Sequence, residues 1–387
     1  MKTVRLFETD VYIGEFQAVV EACMEENGQI KATLNQTAFF PEGGGQPADV
    51  GTLGDALVLD VQEKDGVIWH TVSRALEPGS TVTGTLDWNW RFQNMQNHTG
   101  EHIVSGIVHR VFGYDNVGFH MGKDAVTVDF NGVISEEELA EIEEAANEVV
   151  ERNVPVEICC PSREELAELD YRSKKEIQGQ VRIVTIPGAD VCACCGTHTG
   201  TTGEVRLIKL LSLQNYKGGV RISMLSGRAA MADYQRKHQY IQEAMHLLSA
   251  RPEEIGGRIQ KLKEETEKLR GALSALRKKT ALEKVEAVAP GTPSVCLAEE
   301  GFTMNELREI VNQAAKRADL VLGLNRVEDG ACQYILTGKA DVRGMGKELN
   351  QRFEGKGGGS AAMVQGNLKA DADAVREWFE GTVVGIG

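Results

Sequence analysis

Four side chains that commonly bind metal ions occur in two short motifs of this chain. His98 and His102 are four residues apart in a stretch with helical periodicity, so both imidazoles project from one helix face. Cys194 and His198 repeat that spacing further along the chain. Three imidazoles and one thiolate form a donor set that suits Zn²⁺. The two motifs together therefore predict a zinc site.

Each motif alone is weaker evidence than the pair. Two histidines on a helix are more often surface residues or satisfied core residues, and Glu101 between them is expected to be a solvated carboxylate. Cys192 and Cys195 form a C-x-x-C pair, which is also typical of redox chemistry. A site closed by four protein ligands can be purely structural. The motifs leave the structural and the catalytic alternatives open.

A polar loop at residues 37–49, with the sequence TAFFPEGGGQPAD, is a further candidate for the site. Three consecutive glycines at residues 43–45 allow the backbone to approach a ligand closely. Thr37, Gln46 and Asp49 add donors and acceptors around them. A flexible turn is the alternative interpretation of such a loop.

Hydrophobic periodicity predicts the elements that carry these motifs. Up to residue 90, short alternating segments separated by glycines predict a small β-barrel, with a hairpin that turns at Asp65 and Gly66. A helix is expected over residues 91–112 and should end at Gly113. Capping boxes then predict helices after Ser135 and Ser162. Strands are predicted at residues 125–130, 181–186, 204–213 and 220–225.

The C-terminal part begins with a long helical pattern over residues 226–250, which Pro252 interrupts. Beyond Pro252, a heptad seam predicts a coiled coil or a helical hairpin, and the seam can also pair with a second copy to give a homodimer. The seam consists of Ile255, Ile259, Leu262, Thr266, Leu269, Leu273, Leu276 and Thr280. A linker at residues 290–293 and a compact α/β domain follow.

These elements predict an α+β multidomain protein with four parts. The parts are a β-barrel domain with the glycine-rich loop (1–90), an α+β zinc domain (91–226), a helical coiled-coil segment (227–289) and a C-terminal α/β domain (290–387).

Composition narrows the class of protein. The 387 residues carry a formal charge of −15 and are 42% hydrophobic, which is ordinary for a globular chain. We expect no membrane helix and no signal peptide, and hence a cytoplasmic protein whose eight cysteines are not a disulfide framework. The acidic balance argues against nucleic-acid binding by bulk charge. Residues 261–279 are a local exception, with seven Lys and Arg against three Glu.

The motifs resemble one family when they are taken together. HTGEH at residues 98–102, CCGTH at 194–198 and the loop FFPEGGGQPAD are similar to those of freestanding alanyl-tRNA editing proteins of the long form. These are relatives of the editing domain of alanyl-tRNA synthetase, and GGGSAAMVQG at 357–366 resembles the C-terminal domain of those synthetases. The resemblance covers nearly the whole chain. Two departures are Cys195, where the synthetases have glycine, and the absence of an aminoacylation core.

The resemblance implies a zinc-dependent hydrolase that deacylates tRNA(Ala) mischarged with serine or glycine. A synthetase pocket for alanine cannot exclude glycine by size and rejects serine weakly, so a second site is needed. By motif match, His98, His102, Cys194 and His198 would bind Zn²⁺. Further candidates, for reading the serine hydroxyl, the oxyanion or the terminal adenosine and for general-base catalysis, are Thr37, Gly44, Gly45, Gln46 and His120. Alternatives are a tRNA-binding protein with a structural zinc and a zinc esterase for another aminoacyl-tRNA.

Overall fold

Short strands whose residues alternate between buried and exposed form the N-terminal part of the chain. The computed structural model describes residues 2–173, 180–327 and 330–384, which fall into the units Met1–Gln242 and Glu243–Gly387. The first elements, in chain order, are β1 (Val4–Arg5), α1 (Leu6–Thr9), β2 (Glu15–Glu26), β3 (Gln29–Leu34), β4 (Gln36–Thr37), β5 (Gly51–Leu53), β6 (Ala56–Lys64), β7 (Val67–Val72) and β8 (Thr81–Leu86).

Six of these strands close into a barrel in the order β2-β3-β7-β6-β5-β8. The hairpin between β6 and β7 turns at Asp65 and Gly66 as predicted, with φ values of 55° and 79° that suit a two-residue turn. Phe39, Leu34 and Ile68 are among the fully buried residues of this region. β1 pairs with β4 outside the barrel, in parallel.

Helix α2 (Trp88–Phe112) follows the barrel and is buried along most of its length. Asp87 caps its first turn by accepting a hydrogen bond from the Trp90 amide, and Gly113 ends it in the left-handed conformation, as predicted. The helix begins three residues earlier than expected because Asp87 supplies the cap. Because the helix is buried along most of its length, many of its polar side chains lie in the interior.

Two sheets and further helices complete the first unit. The four-stranded sheet has the order β14-β15-β10-β9, and the three-stranded sheet has the order β11-β12-β13. The elements are β9 (Asn116–Met121), β10 (Val126–Phe130), α3 (Glu136–Arg152), β11 (Glu157–Cys159), α4 (Arg163–Glu168), β12 (Ile183–Ile186), β13 (Asp190–Ala193), β14 (Ile208–Tyr216) and β15 (Gly219–Ser226). Both predicted capping boxes are present. The strand predicted from residue 204 starts only at Ile208, because Thr202–Val205 form a 3₁₀ turn.

Helix α5 (Gly227–Leu248) ends in the second unit, and the 3₁₀ turn Pro252–Glu254 interrupts the helical run as predicted. A five-stranded sheet in the order β16-β17-β18-β20-β19 follows. The elements are α6 (Ile255–Glu286), β16 (Thr292–Glu300), α7 (Met304–Ala314), β17 (Ala318–Arg326), β18 (Cys332–Gly338), α8 (Arg343–Arg352), β19 (Lys356–Gly359), β20 (Met363–Leu368) and α9 (Ala372–Val384). The linker predicted at residues 290–293 was too long, because β16 already begins at Thr292.

Most of the heptad seam on α6 lies on the surface. Ile259, Leu262 and Leu269 are 54%, 50% and 70% exposed, whereas Ala281 and Val285 near the end of the helix are buried with residues of α7. The prediction of an α+β multidomain protein is confirmed at this coarse level. None of the helices in the described ranges combines the length and the apolar character needed to cross a membrane.

Candidate metal centre

Helix α2 and the loop that follows β13 bring the two predicted metal-binding motifs together. One ligand atom from each of His98, His102, Cys194 and His198 lies within 4.8 Å of the others. The Cys194 Sγ is 3.4 Å from Nε2 of His98. The three imidazoles are buried, so a bound ion would be largely shielded from solvent.

Each of the three imidazoles is held through its Nδ1 atom. Nδ1 of His98 is 2.9 Å from Oε1 of Gln46, and Nδ1 of His102 is 2.8 Å from Oδ2 of Asp190. Nδ1 of His198 is 3.4 Å from Oγ1 of Thr99. This leaves the Nε2 atoms for the centre, and Nε2 of His198 is buried without a hydrogen-bond partner. Histidine ligands of metal ions are typically fixed in this way, so the donor set fits a metal ion.

The electrostatics of the cluster also suit a cation. Burial and the neighbouring His98 lower the pKa of His198 to about 3, so this imidazole is neutral near pH 7. Burial alone would raise the pKa of the Cys194 thiol, but His98 and His102 outweigh it and hold that pKa well below its usual value. A thiolate and a neutral imidazole are the forms that bind a metal ion.

The glycine-rich loop reaches this cluster through Gln46. Gly43 and Gln46 pair through both of their backbone hydrogen bonds, and the turn between them places Gly44 and Gly45 at φ values of 61° and 86°. Buried Gln46 accepts from the Thr197 amide at 3.1 Å and donates to the Thr197 hydroxyl at 2.8 Å. The loop is therefore an ordered turn that carries a partner of His98.

Two other candidate residues are not brought into the cluster by any described contact. The Thr37 hydroxyl is buried, lies 2.9 Å from Nε2 of His70 and accepts a hydrogen bond from the Phe39 amide. His120 is exposed on β9, whereas Phe119 packs against His98 with ring centroids 5.1 Å apart. Because neighbouring residues of a strand point to opposite faces, His120 faces away from His98.

The expectation for Glu101 was wrong. This carboxylate is 1% exposed and accepts hydrogen bonds from Ser105 and Asn116. Helix α2 is buried on several sides, so Glu101 is not exposed to solvent. Sequence analysis also missed Arg172 and Asp190, because no motif links them to His102.

Comparisons with known proteins give two matching families. Residues 181–223 match the family described as the threonyl and alanyl tRNA synthetase second additional domain. Residues 8–90 match the family described as class II (A) tRNA synthetases.

Several curated proteins are similar over most of this chain. The alanyl-tRNA editing protein AlaX-L of Pyrococcus horikoshii is 28% identical, with 96% of each chain covered. The alanyl-tRNA editing protein Aarsd1 of Danio rerio is 28% identical over 94% of this chain and 93% of its own length. An alanine–tRNA ligase of Methanopyrus kandleri is 32% identical over 91% of this chain, which spans only 41% of the ligase.

Proposed function

This chain is a relative of the freestanding alanyl-tRNA editing proteins, and on that premise we propose that it is a hydrolase of mischarged tRNA(Ala). The substrate would be tRNA(Ala) carrying serine or glycine, and the bond cleaved is the aminoacyl ester. The convergence of His98, His102, Cys194 and His198 within 4.8 Å carries the proposal. Two of the four, Cys194 and His198, lie in the part of the chain that matches the second additional domain.

We propose Zn²⁺ as the metal ion and those four side chains as its ligands. When bound, Zn²⁺ supplies Lewis acidity toward a carbonyl oxygen and lowers the pKa of a bound water. The chain itself supplies the fixed imidazole orientations, through Gln46, Asp190 and Thr99. These partners reduce the reorganisation that ligand binding would otherwise require.

The glycine turn is proposed to bind the reacting ester. Gly44 is exposed and Gly45 is partly exposed, and among the described residues no hydrogen bond uses their amides. Two such amides can donate to a developing oxyanion. Gln46, which contacts His98, is proposed to position the turn beside the metal ligands.

Thr37 and His120 are proposed to act in substrate recognition. Thr37 would read the serine hydroxyl, exchanging its contact with His70 for one with the substrate. For His120, the exposed position on β9 favours contact with the terminal adenosine over proton transfer at the ester.

The test is a time course of deacylation of seryl-tRNA(Ala), glycyl-tRNA(Ala) and alanyl-tRNA(Ala) by the zinc-loaded protein. Loss of serine or glycine with alanine spared is expected. The Cys194→Ala variant should lose this activity, and His238→Gln, at an exposed histidine, should keep it. If folded, zinc-loaded protein hydrolyses none of the three esters, the proposal is wrong. Faster hydrolysis of another aminoacyl-tRNA would favour the alternative esterase.

A second candidate function is tRNA binding with a structural zinc. The observation that favours it is the number of protein donors, since four ligands can close a tetrahedral site. Chelation separates the two candidates. A structural zinc predicts that its removal unfolds the first unit, whereas a catalytic zinc predicts lost hydrolysis with the fold retained.

Two features of the whole chain belong to the same proposal. We propose that the four parts predicted over residues 1–90, 91–226, 227–289 and 290–387 are functional divisions of the protein. We also propose a homodimer formed through the C-terminal half, because the seam on α6 is exposed.

A further inference from the structure

Arg172, Asp190 and His102 form a connected chain of hydrogen bonds that ends at the candidate metal centre. We propose that Arg172 and Asp190 are positioning residues that fix His102 toward the metal ion. The inference rests on the zinc site proposed above. It assigns a role to two residues that neither the motifs nor the resemblance identified.

Asp190 determines which nitrogen of His102 is available to a metal ion. Its side chain is 1% exposed, and its Oδ2 lies 2.8 Å from Nδ1 of His102. A carboxylate accepts hydrogen bonds, so Nδ1 carries the proton, and in the neutral imidazole that binds a metal ion Nε2 then carries the lone pair. Asp190 begins β13, and Cys194 directly follows this strand. One short strand therefore places both a ligand and the partner of another ligand.

Arg172 fixes the Asp190 carboxylate from the opposite side. Its Nε donates to Oδ1 at 2.7 Å and its Nη2 donates to Oδ2 at 2.9 Å. This two-point contact restricts the rotation of the carboxylate, which a single contact would not do. Arg172 thereby sets the direction from which Asp190 meets His102.

The backbone of Arg172 is attached to the same strand. Its amide donates to the carbonyl of Val191 at 2.8 Å, and its carbonyl accepts from the amide of Ala193 at 2.9 Å. Residue 172 thus extends the sheet beside β13. The guanidinium is held by the strand that it supports, so the arrangement does not depend on a flexible side chain alone.

Arg172 also balances negative charge that is buried near His102. Asp190 and Glu101 are both buried carboxylates near His102. Burial would raise the pKa of Asp190, but hydrogen bonds from His102 and Arg172 outweigh burial and lower it. Asp190, and more weakly Glu101, favour the charged form of the Arg172 guanidinium in return.

The test measures Zn²⁺ and Co²⁺ affinity of the full chain by competition with a chelator, together with the absorption spectrum of the Co²⁺ form. Asp190→Asn should weaken metal binding about 10- to 100-fold and change the Co²⁺ spectrum. Arg172→Gln should weaken binding by a smaller factor, because Asp190 still reaches His102. The double variant should bind within about twofold of Asp190→Asn, because Arg172 acts through Asp190.

Asp129→Asn is the matched control. Asp129 receives the same two-point contact from Arg221, at 2.6 and 2.8 Å, but within the described ranges no hydrogen bond links it to a histidine. This variant should keep the metal affinity and the spectrum of the wild type. A general effect of breaking an Arg–Asp pair would appear in both variants.

The positioning role of Arg172 and Asp190 is wrong if Asp190→Asn keeps the wild-type affinity and spectrum. It is also wrong if the effects of the two single variants multiply in the double variant. If Asp190→Asn does not fold, the Arg172→Gln variant is the test. An unchanged metal affinity in Arg172→Gln then contradicts the positioning role. A wild type that binds metal but hydrolyses no ester contradicts the proposed function but not the positioning role of Arg172 and Asp190. A wild type that binds no metal overturns both.

Discussion

Each imidazole of the candidate metal centre depends on a partner from a different part of the first unit. Gln46 comes from the glycine turn, Asp190 from β13, and Thr99 from α2 itself. All three partners lie far apart in sequence from the residues they hold. The orientation of each ligand is therefore a tertiary property, and each can be disturbed separately.

Gln46→Leu should weaken metal binding about 10-fold or more, since loss of a partner of a histidine ligand typically has this effect. Leucine has a similar volume but leaves Nδ1 of His98 and the Thr197 amide without their acceptor. Chelator competition measures the change. Gln17→Leu is the control, because Gln17 contacts Thr83 on the surface of the barrel. Equal metal affinity in both variants would show that Gln46 does not hold His98.

Buried His70 predicts that the stability of the fold decreases in acid. Burial lowers its pKa from 6.5 to about 4, and in the neutral form Nδ1 is 3.3 Å from the Ala32 carbonyl while Nε2 accepts from Thr37. Because the unfolded state takes up this proton first, the stability contribution is present above pH 6.5 and is lost as the pH falls toward 4.

Between pH 7 and pH 5 the free energy of unfolding should fall by about 2 kcal/mol more in the wild type than in His70→Gln. Urea unfolding at the two pH values measures this difference. Contributions from the other histidines are common to both proteins and cancel in the difference. His238→Gln removes an exposed histidine and should keep the wild-type decrease. Parallel decreases in wild type and His70→Gln would contradict the assignment.

At the scale of elements, the glycine turn offers a matched pair of substitutions. Gly44 and Gly45 both have positive φ, so alanine costs each backbone about 1 kcal/mol. A Cβ at Gly45 would lie 2.6 Å from the carbonyl oxygen of Phe119, whereas a Cβ at Gly44 has no neighbour within 4 Å. Only Gly45→Ala must displace the turn from β9.

Gly45→Ala should therefore reduce deacylation much more than Gly44→Ala, by at least about 10-fold if the turn moves on the scale of 1 Å. Rates on seryl-tRNA(Ala) measure this. Both variants retain the backbone amides, so the comparison isolates the position of the turn. Equal rates in the two variants would mean that the contact with Phe119 does not position the site.

The elements that the sequence predicted well are those with local signals. Helix α2 and its end at Gly113 follow from periodicity and a C-terminal glycine, although its start after the cap Asp87 was not predicted. Both serine capping boxes specify their helices. The spacing of the two metal motifs identified four side chains that lie together. Short β13 has no such signal, so Asp190 and its contact with Arg172 could not be predicted. The burial of Glu101 depends on what packs around α2, which one helix cannot indicate.

At the scale of the whole molecule, the chain is acidic, yet it must bind a polyanion if the proposed function is correct. The basic residues of α6 are not equivalent in this respect. Lys278 pairs with Glu309 at 2.7 Å, and Arg277 lies 3.9 Å from Glu300. Lys263 and Lys268 form no ion pair within the described ranges.

Neutralising Lys263 and Lys268 should therefore weaken tRNA binding and reduce its salt dependence, with a change in the logarithmic slope of about 0.7 to 0.9 per lost phosphate contact. Neutralising Arg277 and Lys278 should have a smaller effect, since their charge is already partly balanced. Binding of uncharged tRNA(Ala) over a range of salt concentrations measures both slopes. The assignment of the basic surface to α6 is wrong if neither pair changes the slope.

The exposed seam on α6 predicts the oligomeric state. Leu269, Leu273 and Leu276 are 70%, 47% and 61% exposed, although heptad positions of a coiled coil are normally buried against a partner helix. A second copy of the chain offers the same seam, so a symmetric pair would bury both. Sedimentation at micromolar concentration should then show a dimer.

The double variant Leu269→Ser with Leu273→Ser should dissociate this dimer, because each serine removes apolar area from the interface and adds a polar group. The control, Val117→Ser, changes an apolar residue of β9 that is 65% exposed and should leave the dimer intact. A monomeric wild type at these concentrations would instead show that the seam does not pair with itself.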